Sequence, residues 1–435
     1  MDDSADRDSH FHYVQIDESR CTGCVLCMKA CPTKAIRVKD GRVAKTEGVC
    51  IDCGECVRVC PQGAVKAIST EKLVLDEKLI NVVSASTVIH AQFGEGVLPN
   101  DILLAMKRMG FDYVHDQSYT NEMFNVAIEL YIKEARKSSD SSWPLISPVC
   151  PVVVRLIAHR FPSLLKHIPP LATPREIVAR EAKRRLSGKY GCKQDDIHVV
   201  HITPCPAKMI CIKEPLVQTR SFLDSAIGIS HVYWTIRKNL GEIADDDVLH
   251  HSGGVGLGWG MSGGEIAGLD MACLAVSGLQ ETIRYLEKIE MGLLRDMDYV
   301  EFRICTEGCL GGPYTVADKY LAKHHLHRLV RMFGVEKRVK YEYVRDLYRQ
   351  GWFFTDKKLV QQTDRASSDS ISRRIERELK VEKIMERLPQ KQCGVCGSPD
   401  CSTFAEDVVD GRASLGDCVF MTQKVKKRAA GGGAK

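Results

Sequence analysis

Eight cysteines within the first sixty residues constrain this chain more than anything else in it. Cys21, Cys24, Cys27 and Cys31 follow the spacing C-x2-C-x2-C-x3-C and precede Pro32. Cys50, Cys53, Cys56 and Cys60 repeat that spacing and precede Pro61. Two-residue spacings turn the backbone tightly enough for three thiolates to reach one [4Fe–4S] cubane, while the fourth cysteine of each run ligates the other cluster. The pattern assigns one cluster to Cys21, Cys24, Cys27 and Cys60, and a second to Cys50, Cys53, Cys56 and Cys31. Zinc is the alternative, but zinc sites usually pair two C-x2-C knuckles across a spacer rather than placing three cysteines in one run. Two neighbouring clusters imply electron relay, with one end facing a soluble donor or acceptor.

The rest of the composition narrows the setting. A chain of 435 residues needs two or three domains with at least one large core. Its net charge of +5, without aromatics interleaved among basic clusters, gives no support for nucleic-acid binding. No apolar run approaches the length of a membrane span. Met1 to His10 is acidic and polar, unlike a signal peptide, and no twin-arginine signal is present, so a cytoplasmic location is expected. Nineteen cysteines in a reducing compartment then point to metal rather than disulfides.

The C-terminal end carries a second cysteine cluster. Ser367 to Pro389 is highly charged, and Ile371, Ile375 and Leu379 recur every four residues, which predicts an amphipathic helical linker. Cys393, Cys396, Cys401 and Cys418 follow, with Gly394 and Gly397 permitting tight turns. Four thiolates make one closed site. It resembles a small [4Fe–4S] module of hydrogenase-like and corrinoid proteins, with zinc the alternative because thiolates alone do not decide the metal. The basic, glycine-rich tail reads as disordered.

Between these ends the pattern is α/β. Leu79 to Val83, His198 to Ile202 and Ala272 to Val276 look like buried strands, alternating with helical stretches such as Asn121 to Lys137 and Thr173 to Leu186. Cys150, Cys205, Cys305 and Cys309 lie in three segments, each after a strand-like run or in a Gly/Pro-rich turn: SPVCP, TPCPAK and EFRICTEGCLGGP. Three loops at strand ends can converge to supply four thiolates to one more cluster. A buried free cysteine also packs simply as a small hydrophobe, and that reading stays open on the residues alone.

The three segments match, in order, the three cysteine motifs of the [FeFe]-hydrogenase large subunit. The resemblance extends to Ser84–Val88, Ala158–Pro162, Ala172–Pro174, the glycine-rich Ser252 to Gly264, and Ala275–Leu279. With the first cysteine runs resembling bacterial ferredoxin, the likeness covers most of the chain. It implies a two-cluster ferredoxin-like α+β domain over residues 1–74. A hydrogenase domain with mostly parallel sheets would follow over 75–365, then a charged helical linker over 366–389. A four-cysteine iron–sulfur module over 390–423 and a tail over 424–435 would complete the chain. It further implies an H-cluster: a cubane held by Cys150, Cys205, Cys305 and Cys309, joined through Cys309 to a diiron unit carrying CO, CN⁻ and a bridging dithiolate. Lys208 would hydrogen-bond a cyanide. Pro174, Ala85 and the backbone of Ser86 and Thr87 would line the diiron pocket, and Glu301 matches the third motif.

The departures from the family pattern are informative. Prototypical members carry a second cysteine that passes protons to the bridging amine, and Val149 stands there. The serine and glutamates that continue the route align with Pro169, Cys211 and Lys137. Two methionines near the diiron unit become Thr203 and Arg303, the latter placing a permanent charge beside the cofactor. The pattern resembles the divergent sensory-type members (groups C and D). The implied function is a slow reversible hydrogenase, 2H⁺ + 2e⁻ ⇌ H₂, used in hydrogen or redox sensing. Electrons would exchange with a soluble carrier such as ferredoxin, and a separate protein would receive the signal. The alternatives are a multi-cluster electron-transfer or redox-signalling protein without the diiron unit, and an iron–sulfur assembly factor. Cys192, Cys211 and Cys273 fit no spacing and read as packed thiols.

Overall fold

The computed structural model describes residues 12–45, 49–69, 73–138, 141–241, 247–361 and 371–421. The start of the expected linker, 366–370, and the expected tail, 424–435, lie outside them. The chain forms two compact units, Met1–Lys66 with Gln362–Lys435, and Ala67–Gln361.

In the first unit, strand β1 (Val14–Ile16) neighbours β4 (Val65–Ala67), and β2 (Ile36–Lys39) pairs antiparallel with β3 (Arg42–Lys45). Each cysteine run leads into a one-turn helix, Leu26–Ala30 or Glu55–Val59. Both helices are entered through a left-handed residue, Val25 at φ 62° and Gly54 at φ 73°, which reverses the chain within the cysteine loop. Met28, Ile36, Val38, Val43 and Val65 make a small core behind the cysteines. So little buried apolar area would leave this fold dependent on clusters bound by the cysteines.

The C-terminal cysteines belong to the same unit and are built onto β2. Val38 N–H donates to the Gly397 carbonyl at 2.9 Å. Arg37 grips Asp407 with a two-pronged contact, Nε to Oδ2 at 2.6 Å and Nη2 to Oδ1 at 3.1 Å. Ser398 Oγ also donates to Asp407, at 2.7 Å. Lys29 Nζ reaches the carbonyls of Gln392 and Pro399 at 2.7 and 2.6 Å. Gly397 sits at φ 88°, and a Cβ there would stand 2.3 Å from the Val38 carbonyl oxygen, so the approach requires glycine. Asp407 is almost fully buried, and removing one partner of such a pair costs about 3 kcal/mol. Asp407→Ala should therefore lower the denaturant midpoint of the C-terminal segment and open it to limited proteolysis. An unchanged midpoint and cleavage pattern would show that the docking is held elsewhere.

The charged helix runs over Ile371–Arg387. Its buried side is not the expected stripe. Ile375 and Leu379 are more than half exposed, whereas Val381, Ile384, Met385 and Leu388 pack with Phe404, Ala405 and Cys418. The C-terminal half of the helix is thus part of the cysteine module's core. A four-residue apolar recurrence cannot reveal which turn meets a partner.

The second unit is α/β with two parallel sheets. In the larger, β6 (Tyr113–His115), β5 (Ile80–Ala85), β8 (Ile197–Thr203) and β9 (Ser225–Gly228) lie side by side in that order, all parallel. In the smaller, β10 (Cys273–Ser277) and β7 (Leu145–Ile146) flank β11 (Tyr299–Arg303), again all parallel. Parallel strands must be covered on both faces. Val82 and Val199 face Ala179, Ala182 and Leu186 of helix Pro174–Tyr190. Val83, Val200 and Ile202 face the opposite core with Ile102, Leu103 and Val232. The strands and helices expected from the sequence occur here with boundaries shifted by a few residues.

Candidate metal centre

The first unit gathers its cysteines in the crossed pattern. Burial pushes the Cys27 thiol up to about 11, and Cys24, Cys21 and Cys60 add to the rise as its charged neighbours. Burial likewise pushes Cys56 up to about 12, with Cys50 and Cys31 as its strongest like-charged neighbours. Each run's last cysteine therefore stands among the other run's first three. Cys60 is the exception in electrostatics. Burial is the largest single influence on it and raises its thiol, but hydrogen bonds from the backbone of Val65, Ala64, Gln62 and Gly63 together outweigh it and hold the thiol below the ordinary value. In the C-terminal module, burial raises the Cys396 thiol, with Cys393 and Cys418 as neighbours, and Cys401 packs against Cys418.

In the second unit, carboxyl ends of strands from both sheets point into one crevice, the place where parallel α/β folds bind ligands. Cys150 follows β7, Cys205 follows β8, and Cys305 follows β11. Cys150 and Cys205 each immediately precede a helix whose first residue is proline, Pro151–Arg160 and Pro206–Lys213. Proline suits this position because its missing N–H would be unpaired there, and the helix start favours negative charge. Cys309 sits in a helical turn, Gly308–Gly311, reached through Glu307 at φ 62° and Gly308 at φ 74°. A Cβ on Gly308 would come within 2.7 Å of the Gly260 carbonyl oxygen, and Cys309 N–H donates to that same oxygen at 2.8 Å.

All four cysteines line one apolar cavity of about 370 Å³, together with Val149, Lys208 and Arg303. Burial pushes the Cys205 thiol up to about 12, followed by the charges of Cys305 and, less strongly, Cys150, while Lys208 opposes the rise. Thiolates gathered this closely would repel one another, so a donor set of this chemistry suits a metal cluster, whose cations would offset the charge. Lys208 Nζ stands 3.7 Å from Cys309 Sγ.

A second cavity of about 350 Å³ adjoins the first, sharing Val149, Lys208, Arg303 and Cys309. Ser86, Thr87, Gln117, Pro174, Arg175, Trp259 and Gly260 complete much of its wall. Of the residues expected to line it, Ala85 does not: it ends β5 one residue short of the wall and packs into the core behind. Glu301 does not either. Its carboxylate accepts from the backbone N–H groups of Gly263, Glu265 and Ile266, at 3.2, 3.1 and 3.4 Å. Glu301 thus fixes the glycine-rich segment rather than touching a ligand.

Glu301 belongs to a fully buried charge cluster that sequence reading missed. Arg303 Nη2 donates to Glu265 Oε2 at 2.6 Å, and Tyr299 OH and Ser147 Oγ donate to Glu265 at 2.5 and 2.9 Å. Burial raises the Glu301 carboxyl to about 7 against the pull of Arg303, with Glu265 adding to the rise. Burial also works against the Arg303 charge, but Glu265, Glu301, Cys309 and Cys150 outweigh it and hold the guanidinium protonated. An isolated glutamate in a Gly-rich stretch, as in Gly264–Glu265–Ile266, was the available signal.

The residues marking departures are scattered. Val149 lines both cavities. Cys211 lines a third, of about 350 Å³, beside Thr173, Arg175 and Glu176. Pro169 is buried outside all three cavities, and Lys137 is exposed. The Thr203 hydroxyl turns to its own loop, accepting from Cys205 N–H at 3.4 Å.

Both sheets deliver cysteines to one chamber, beside a cation-lined second chamber, an arrangement suited to an iron–sulfur cluster with a neighbouring guest. Residues 79–264 match the family model for the iron-only hydrogenase large subunit, C-terminal domain. Residues 13–61 match that for a 4Fe-4S dicluster domain, and 388–420 match a family model described as an Fe-S cluster. The periplasmic [Fe] hydrogenase large subunit of Nitratidesulfovibrio vulgaris is 28% identical over 302 residues, 64% of this chain and 71% of that protein. The NADP-reducing hydrogenase subunit HndD of Solidesulfovibrio fructosivorans is 24% identical over 207 residues, 45% of this chain but only 31% of its own length. A solved structure of the [FeFe]-hydrogenase HydA1 from Chlamydomonas reinhardtii shares the fold with a TM-score of 0.51 at 15% identity, covering 67% of this chain and 97% of that one. Residues 79–264 are thus similar to the iron-only hydrogenase large subunit, preceded by a segment similar to a 4Fe-4S dicluster domain and followed by one similar to an iron–sulfur module.

Proposed function

We propose that this protein is a slow, reversible [FeFe]-hydrogenase whose output serves hydrogen or redox sensing. The observation that carries the reading is the pair of adjoining cavities sharing Cys309 and Lys208. The thiol-lined chamber fits a cubane held by Cys150, Cys205, Cys305 and Cys309. The neighbouring chamber offers buried cationic donors and the backbone around Ser86 and Thr87, which suits a diiron unit bearing anionic ligands. When bound, that unit supplies the site at which protons and electrons combine to H₂.

The chain's own side chains do the rest. Lys208 presents a compact ammonium to an anionic ligand, and Cys309 ties the two chambers together. Val149 and Trp259 keep the second chamber partly apolar. Val149 holds no exchangeable side-chain proton, so the step in which a positioned acid normally helps is unassisted there. Such assistance is typically worth about 100- to 10,000-fold, and turnover should be lower than in a relay-equipped enzyme by that order. Low turnover suits detection better than metabolic flux. Electrons would pass through the accessory clusters to a soluble carrier such as ferredoxin, and a separate protein would read the redox state. No helix among the described residues is long and apolar enough to cross a membrane. A cytoplasmic setting fits the chain's nineteen cysteines.

The test uses the full chain with its cubanes assembled. Incubation with a synthetic diiron dithiolate complex should produce infrared bands of metal-bound CO and CN⁻ between about 1800 and 2100 wavenumbers, together with slow viologen-linked H₂ turnover. No bands and no turnover would leave only electron storage.

A further inference from the structure

Arg303 carries a charge in the second unit's crevice whose surroundings the proposed function leaves unexplained. It stands at the end of β11, 2% exposed, and lines both cavities. One edge of its guanidinium is fixed. Nη2 donates to Glu265, and the plane lies over the Trp259 ring at 5.2 Å. The remaining donors are unfilled. Among the described residues Nη1 has no hydrogen-bond partner, and Nε, though 3.5 Å from Glu301 Oε1, makes no hydrogen bond either. An arginine serving only to neutralise Glu265 and Glu301 would not need to leave donors bare at a cavity wall, because buried unmade hydrogen bonds are costly. A planar fork tied along one edge also presents the rest of its donors in a fixed direction, which a lysine or methionine cannot do.

We propose that Arg303 is a second cationic positioning residue, with Lys208, for an anionic ligand of the diiron guest, the two side chains flanking Cys309. This rests on the hydrogenase reading and adds a residue to it. Such a contact withdraws charge from the guest and orients it from a second direction. It also gives the glycine-rich segment a role, since Glu265 aims the guanidinium and Glu301 holds the backbone that carries Glu265.

The experiment compares wild type, Arg303→Lys and the triple variant Arg303→Met/Glu265→Gln/Glu301→Gln, which leaves no buried carboxylate unpaired. Each full-length protein, with cubanes assembled, is titrated with the synthetic diiron dithiolate dicyanide complex and followed by infrared absorption. Loss of a charge-assisted donor should shift a cyanide band to lower wavenumber and raise the complex concentration for half-loading by about tenfold. Arg303→Lys should recover much of the loading without the wild-type band position. Coincident bands and equal half-loading in wild type and Arg303→Lys would overturn the proposal, even if the triple variant failed to fold. If wild type itself takes up no complex, the hydrogenase reading falls and this assignment falls with it. If wild type loads and the variants match it, only this assignment fails.

Discussion

Cys309→Ser is expected to abolish H₂ turnover and every CO and CN⁻ infrared band, while leaving the accessory clusters' paramagnetic signals in place. Cys309 is the single cysteine that lines both chambers, and its sulfur is within 3.7 Å of Lys208 Nζ. A serine hydroxyl at that position is a poor ligand for iron and cannot bridge a cubane to a second metal unit. Iron content should fall from about eighteen atoms per chain, for four cubanes and a diiron unit, by roughly six. Cys273→Ser is the control. Burial, then Asp298, Glu265 and Glu301, pushes the Cys273 thiol up to about 12, yet it lines neither chamber. Full-strength bands in Cys309→Ser would mean that the diiron unit is held by something else, and the hydrogenase reading would need a different anchor.

The second large effect runs in the opposite direction. Val149→Cys should raise H₂ turnover by about 100-fold, the lower end of what a positioned proton donor contributes. Val149 touches both chambers, beside Cys309 and Lys208, so a thiol there faces the reacting site. The exchange nearly conserves volume and should leave the walls where they are. The upper end of the range is out of reach because Pro169 cannot relay a proton and the Cys211 thiol is buried beside a different cavity. Viologen-linked turnover in H₂O and D₂O, measured on protein loaded to equal band intensity, decides the matter. Unchanged rates with a thiol confirmed at this position would show that proton delivery does not limit the proposed turnover.

Much of this was legible in the sequence. Cluster spacing is local, so the expected pairing of Cys60 with the first run and Cys31 with the second rests on eight residues and the tightness of their turns. Strands such as β5 and β8 were visible as apolar runs because parallel strands are buried on both faces. What escaped notice was long-range. Arg303 and Glu265 are 38 positions apart, and no period in the sequence links them. Glu301 matches the third motif, yet its carboxylate is taken up by three backbone N–H groups, which motif position alone does not reveal. Ala85 was misplaced by one residue, which on a strand is enough to change the face it presents. The helix Ile371–Arg387 was legible as a helix, but its buried turn depends on where Phe404 arrives, and that is set by tertiary packing.

Because β7 and β11 belong to one sheet and β8 to the other, the loops that carry Cys150, Cys205, Cys305 and Cys309 come from separate layers of the same unit. A cubane held by all four would add a rivet between layers whose loops are also tied by the Tyr314 N–H to the Pro204 carbonyl at 3.0 Å. Under the proposed function, iron supply would govern mechanical integrity as well as catalysis: a chain starved of metal would be looser at that seam, and a loaded one stiffer. Cellular iron status would be written into the rigidity of the protein before any hydrogen arrived.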